Sequence, residues 1–229
     1  MHINTLRQLN QYRQAGSPVV LLTDISAERQ QLITSSDFPA PDTESHLAMA
    51  KQVLSSDQCL YRQEDSAEIF AQPFNPPLRM IIVGAVHIAE DLIPIANSCG
   101  FQVVLVDPRQ AFANDRRFPG VSISNEWPDV AMQDISPDER TAIITLSHDP
   151  KIDDPALEAA LGSKAFYIGS LGSRRTHAAR LQRLSEKQWS EEQQGRIKGP
   201  IGLDIGARST TEIAVSIMAE VITAYRKQN

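Results

Sequence analysis

Residues 79–109 read RMIIVGAVHIAEDLIPIANSCGFQVVLVDPR, and no other stretch restricts the fold as tightly. Met80–Val83 is an unbroken apolar run, the pattern of a strand buried on both faces. Gly84 ends it. Ile88, Ala89, Leu92, Ile93 and Ala96 then recur at helical spacing while Glu90 and Asp91 face away, and Gly100 stops the helix. Val103–Val106 is a second buried strand, closed by Asp107. Two parallel strands joined by one helix make a βαβ unit, whose crossover is almost always right-handed.

The turn into that helix aims backbone N–H groups at whatever lies above it, which favours an anion. Set against the dinucleotide fingerprint G-x-G-x-x-G, the chain offers Gly84-Ala85-Val86-His87-Ile88-Ala89. The first glycine is present, but Val86 stands where a second would let a pyrophosphate approach the backbone. Asp107 falls about 20 residues past the first glycine, where such a unit carries its ribose-binding acid, and Arg109 nearby leaves a 2′-phosphate open. The stretch reads as a dinucleotide turn or as an ordinary core strand and helix with an empty turn.

The remainder of residues 78–229 repeats the alternation. Strands are expected at Val121–Ile123, Thr141–Leu146 and Ala165–Ile168, with helices near Asp129–Gln133, from an Asp154-Pro155 start, and over Arg174–Leu184. A final helix from about Thr211 to Tyr225 is announced by the capping box Ser209-x-x-Glu212. This implies an α/β, Rossmann-like parallel sheet with helices on both faces. Residues 1–77 differ in kind, as a small α+β region. It has a helix over 3–15, a strand at Pro18–Leu22, a helix over Asp42–Leu54 capped by Asp42 or Thr43, and a hairpin around Glu64-Asp65. Pro73, Pro76 and Pro77 mark the boundary.

Bulk properties exclude several classes. The 229 residues are 41% hydrophobic with a net charge of −6 and no dominant basic face, which argues against nucleic acid. No run approaches the roughly 20 apolar residues of a membrane span and no signal peptide is visible, so the cytoplasm is the expected compartment. Cys59 and Cys99 give neither a disulfide framework nor a metal knuckle, and both read as buried thiols.

In such sheets ligands collect beyond the carboxyl ends of the strands. The residues there are Gly84, Ala85 and His87; Asp107 and Arg109; Ser147, His148 and Asp149; and Gly169-Ser170-Leu171-Gly172-Ser173-Arg174-Arg175. Arginine gains nothing from the helix dipole at an N-terminus, so Arg174 and Arg175 point to an anionic ligand, with Ser170 and Ser173 offering hydroxyls and Gly169 and Gly172 an open backbone. His148 is a candidate general base, metal ligand or ligand-orienting group, although its spacing to Asp149, Asp153 and Asp154 matches no zinc pattern. His177, in mid-helix, reads as solvated. A third glycine-rich loop, Gly199–Ala207, carries Asp204 ahead of Glu212; the latter also fits a plain capping role.

G-A-x-H-x-A, D-P-R, S-H-D, Y-I-G-S-L-G-S-R-R and P-I-G-L-D-I-G-A-x-S-T-x-E-I-A-V-S-I-x-A-E, in that order over about Phe74–Tyr225, resemble the xanthine dehydrogenase accessory-protein family (XdhC/CoxI). The resemblance implies a maturation factor for molybdenum hydroxylases. Such a factor binds the molybdenum cofactor (molybdopterin), holds it during sulfuration and delivers it to the apo molybdenum hydroxylase. A cysteine desulfurase is an implied partner, and a homodimer an implied assembly. The implied cofactor-binding set is Gly84, Ala85, His87, Asp107, Arg109, His148, Gly169, Ser170, Gly172, Ser173, Arg174, Asp204 and Glu212. Two departures stand out. Val86 replaces the family's usual glycine, and the N-terminal G-G-G-C-x-E motif is missing, with Gly16 the only glycine before residue 77 and Cys59 in a D-Q-C-L context. The N-terminal region is thus expected to be reduced. Competing readings of the same cleft are an NAD(P)-dependent oxidoreductase, with His148 as its acid/base, and a structural adaptor that binds nothing.

Overall fold

A computed structural model of the chain describes residues 2–34, 45–64 and 67–228; the caps expected at Asp42 and Thr43, and Asp65 in the hairpin turn, lie outside them. The chain divides between Pro76 and Pro77 into two compact units.

The first unit runs α1 (Ile3–Gln14), β1 (Val19–Asp24), β2 (Arg29–Thr34), α2 (Ser45–Ser56), β3 (Leu60–Glu64) and β4 (Ala67–Phe74). Its four strands form an antiparallel sheet in the order β2-β1-β4-β3. Val20, Leu22, Ile33, Met49, Val53 and Ile69 fill its core. No sequence pattern announces β2. Its RQQLIT is polar for four of six positions because an edge strand buries only its far end, Ile33 and Thr34. Cys59 precedes β3 and is exposed, contrary to the buried thiol expected, since the strand begins one residue later.

The second unit runs β5 (Leu78–Val83), α3 (His87–Ser98), β6 (Phe101–Val106), β7 (Ser122–Ser124), α4 (Pro128–Ile135), β8 (Thr141–Thr145), α5 (Pro150–Leu161), β9 (Tyr167–Ser170), α6 (Arg174–Glu186), α7 (Glu191–Gln194), β10 (Ile197–Lys198) and α8 (Thr210–Gln228). The expected α/β class holds: six strands, all paired in parallel, lie in the order β10-β9-β8-β5-β6-β7. Successive β5 side chains point to opposite faces, as the pleat requires. Met80 and Ile82 meet Ala89, Leu92, Ile217 and Val221 of α3 and α8. Ile81 and Val83 meet Met132, Ile152 and Leu157 of α4 and α5. With both faces covered, β5 has no room for a polar residue, which explains its unbroken apolar run.

Helix α5 starts five residues before the expected place. Asp149 is its N-cap, its side chain accepting from the Lys151 N–H (3.0 Å), with Pro150 at the first helical position. Residues 149–155 carry two Asp-Pro steps with the same local signature, and the earlier one starts the helix. Asp154 is consequently not a cap. Its carboxylate takes both Nε and Nη2 of Arg183 (2.6 and 2.9 Å) and ties α5 to α6. Cys99, expected in the core, is exposed just past the end of α3.

Candidate functional site

The sheet order changes direction at β5. The chain goes from β5 outward through β6 to β7, then returns to β8 on the other side and continues through β9 to β10. Two loops leaving in opposite directions open a crevice above the shared strand ends. Gly84 sits directly against Ser147, just past the end of β8. It has φ +110°, and a Cβ there would lie 2.7 Å from the Ser147 backbone nitrogen, so only glycine lets the tips of β5 and β8 approach this closely.

The turn after Gly84 is locked by side chains from two other segments. Ala85 donates its N–H to Asp107 Oδ2 (2.8 Å), and its carbonyl accepts from Arg117 Nη1 (2.9 Å). Asp107 is fully buried and accepts three further bonds, from the Arg109 N–H (2.9 Å), Arg109 Nε (2.9 Å) and Arg109 Nη2 (2.7 Å). A carboxylate offers about four lone-pair directions, and all four are engaged within the protein. Burial pushes the Asp107 carboxyl up, but the bonds from the Arg109 side chain, the Ala85 N–H and the Arg109 N–H outweigh it and hold the group below its ordinary value. Arg109 also stacks over Phe112, 4.9 Å from the ring centre. Val86 is half-buried against the core beside α3. Among the described residues the N–H groups of His87 and Ile88, the first two of α3, have no partner, and the His87 side chain is exposed.

On the other side, β8 ends in Thr145, whose hydroxyl meets that of Ser170 at 2.5 Å with both residues fully buried. Ser170 is therefore part of β9 and not of an open loop. Gly169, one residue earlier, leaves space for Ile201, whose side chain would sit 2.5 Å from an added Cβ. Ser173 caps α6, its hydroxyl accepting from the Thr176 N–H (3.2 Å), and Gly172 packs over Thr176. Arg174 is exposed and makes no hydrogen bond or ion pair among the described residues. It borders a cavity of about 420 Å³ that is walled by Leu171, Ile213, Ser216 and the loop Pro200–Ala207, with Asp204 at its edge. That loop is anchored from below. Glu220 Oε2 accepts from both the Tyr167 hydroxyl (2.5 Å) and the Gly202 N–H (2.7 Å), and burial followed by Glu220 drives the Tyr167 pKa upward. Glu212 accepts from the N–H groups of Arg208 (2.6 Å) and Ser209 (3.0 Å) while Ser209 Oγ accepts from its own N–H (3.2 Å), a reciprocal box at the start of α8.

His148 lies between the two halves. It is exposed and has φ +61°, a left-handed backbone that costs a residue with a Cβ about 1–2 kcal/mol. Its neighbour Ser147 donates Oγ to Asp153 Oδ1 (2.6 Å). Asp153 is 2% exposed; burial raises its pKa against the opposing effects of Ser147 and Arg180. No group of three or more His, Cys, Asp or Glu among the described residues has the arrangement of a metal site.

The crevice thus gathers the ends of β5, β6, β8 and β9 as their order requires, but the groups it presents differ in freedom. Asp107, Ser170, Ser173 and Glu212 spend their side chains on protein partners, whereas His87, His148, Arg174 and Asp204 are exposed. Arg180, 2% exposed on α6, was not among the expected site residues. Its spacing to His177 and Leu184 places it on the inner stripe of the helix, so the signal was present. His177 is likewise half-buried and not solvated: it packs on Gly199, and its Nδ1 is buried without a partner.

Residues 80–221 match the family model described as the XdhC Rossmann domain. The chain belongs to the XdhC family. It is 34% identical over 159 residues to the molybdenum cofactor insertion chaperone PaoD of Escherichia coli K12, covering 69% of this chain and 44% of that protein. It is 28% identical over 168 residues to a probable xanthine dehydrogenase component of Bacillus subtilis 168, covering 72% and 48%. The chain thus spans about half or less of the length of these curated relatives. A solved Bacillus halodurans structure described as a xanthine dehydrogenase matches with a TM-score of 0.75 at 23% identity, covering 99% of this chain and 65% of that one, and so shares the fold. The resemblance read from the five sequence motifs is borne out.

Proposed function

We propose that this XdhC-family chain is a maturation factor for a molybdenum hydroxylase, and that its second unit carries the phosphate-bearing molybdenum cofactor as cargo beyond the carboxyl ends of β9 and β10. One observation carries the placement: the unpartnered guanidinium of Arg174 beside a cavity of about 420 Å³. A cation with no protein partner, next to a hollow in the size range of small-molecule sites, suits a ligand with one anionic end and a flat, largely apolar body. Leu171, Ile201 and Ile213 would cover the body, and Arg174 with the free N–H groups at the start of α6 would hold the phosphate. The name of the Escherichia coli relative supports the cargo, and the apo molybdenum hydroxylase is then the recipient. A cysteine desulfurase as second partner, a homodimer and a cytoplasmic location extend the same reading. Among the described residues no helix is long and apolar enough to cross a membrane.

The oxidoreductase reading draws less support. A nicotinamide dinucleotide in the usual pose needs a free acid at Asp107 and an open backbone at Val86, and here the acid is fully engaged and the valine carries a side chain. The test is thermal unfolding with purified molybdenum cofactor, its cytidine dinucleotide form, NAD and NADP. Ligand at 100 times Kd stabilises the folded state by about 2.7 kcal/mol, an easily read shift. A shift with either molybdenum form, together with activation of the apo-hydroxylase, is expected; a shift with NAD or NADP alone overturns the proposal.

A further inference from the structure

Arg180 does not fit a purely structural account. It is 2% exposed, and its Nη2 donates to the Leu171 carbonyl (2.9 Å), yet its Nε and Nη1 are buried without any partner. A buried donor left unpaired is destabilising, and more so on a charged group. The neighbouring acids do not relieve this. Asp154 is held by Arg183, and Asp153 is held by Ser147 and acts on Arg180 only through space. Burial lowers the Arg180 pKa in opposition to those two carboxylates. A helical side chain leans toward the N-terminus of its helix, so Arg180 reaches back along α6 under the residues that precede Arg174. Its one bond holds that loop down.

We infer that Arg180 is a concealed oxyanion receptor, and that a phosphate or pyrophosphate entering at the first turn of α6 displaces the Leu171 carbonyl and takes the guanidinium fork of Arg180 from beneath while Arg174 takes it from the outer side. The inference rests on the reading of a phosphate-bearing cargo and adds to it a second cation, a bidentate geometry and a moving part. Guanidinium forks match phosphate oxygens in pairs, which a lysine does not. Nε and Nη1 are screened from solvent, so entry requires the Leu171–Ser173 segment to lift. Until then the unpaired donors hold the segment in a state a ligand can improve.

The experiment uses the full chain and pyrophosphate as the probe, with binding measured by calorimetry and the arginine Nε–H signals followed by nitrogen-15 NMR. Pyrophosphate is expected to bind and to move the Arg180 Nε–H signal downfield. Arg180→Met is expected to weaken binding at least tenfold while folding normally, since it removes a buried charge whose only hydrogen bond is the one to the Leu171 carbonyl. Arg180→Lys is expected to fall between the two, and covers the case in which the methionine variant does not fold. Unchanged affinity in Arg180→Lys or Arg180→Met, or an unmoved Arg180 signal under saturating pyrophosphate, overturns the inference. Pyrophosphate binding through Arg180 without activation of an apo-hydroxylase would instead overturn the cargo reading and leave the oxyanion site standing.

Discussion

Replacing Gly84 by alanine tests the geometry of the crevice directly. The added Cβ would meet the Ser147 nitrogen at 2.7 Å and its Cα at 2.9 Å, and both are backbone atoms of the neighbouring strand end. Neither can rotate away. The substitution also places a side chain at φ +110°, a conformation that costs about 1–2 kcal/mol. Overpacking adds about 1–3 kcal/mol, so the variant should lose about 2–5 kcal/mol in all. Gly100→Ala isolates the first contribution, because φ there is +84° but nothing lies within 4 Å of the new Cβ. The assay is urea unfolding followed by tryptophan fluorescence. Both tryptophans, Trp127 and Trp189, lie in the second unit, so the signal reports that unit alone. At a slope of about 2 kcal/mol per molar urea, the two variants should differ in midpoint by about 0.5–1.5 M. Equal midpoints for Gly84→Ala and Gly100→Ala would refute the close approach of β5 and β8.

Other expectations follow from single contacts. Asp107→Asn should destabilise the second unit by about 1–3 kcal/mol at pH 7, since the amide keeps one acceptor oxygen and turns a donor NH2 toward two of the four N–H groups of Ala85 and Arg109. The Asp107 pKa is lower in the folded state than its unfolded value of 3.8, so its stabilisation is present above that value and lost as pH falls through the folded one. An acid titration of wild type should therefore show a loss below about pH 4 that the asparagine variant lacks. Asp153 has the opposite sign: its folded pKa is raised, so the folded state is favoured below the unfolded value and loses that advantage as pH rises. Asp153→Asn should accordingly be more stable than wild type at pH 7 and lose that margin toward pH 3, read from the same fluorescence melts. His148→Gly should gain about 1 kcal/mol in chemical unfolding by relieving the left-handed backbone at φ +61°; a loss would mean that the imidazole holds something in place. Glu220→Ala should speed hydrogen exchange at the Gly202 N–H at least tenfold, because that amide loses its acceptor, and unchanged exchange would separate the loop from its anchor.

The architecture was legible because its signals are redundant. The β5 run is apolar throughout since both faces are covered, and Ser209 with Glu212 announces α8 by a box that the structure forms reciprocally. Signals that occur twice or rely on distant partners were not legible. Asp149-Pro150 and Asp154-Pro155 look alike in one dimension, and only the contact of Asp154 with Arg183 tells them apart. The two-residue β10 lies below the length at which any pattern repeats. Strand-end reading located the candidate residues, because sheet order brings those ends together whatever the side chains are. It could not tell a free hydroxyl from one already engaged, since Thr145 lies 25 residues from Ser170 and Asp107 is claimed from 22 residues away by Ala85.

The clasp between Asp107 and Arg109 bears on how the protein would behave among the metabolites of a cell. Nicotinamide dinucleotides are abundant there, and a nucleotide fold with a vacant ribose anchor would be filled by them most of the time. With the anchor shut by its own arginine, such dinucleotides lose their usual ribose contact, and the crevice is guarded against them by two hydrogen bonds made within the chain itself.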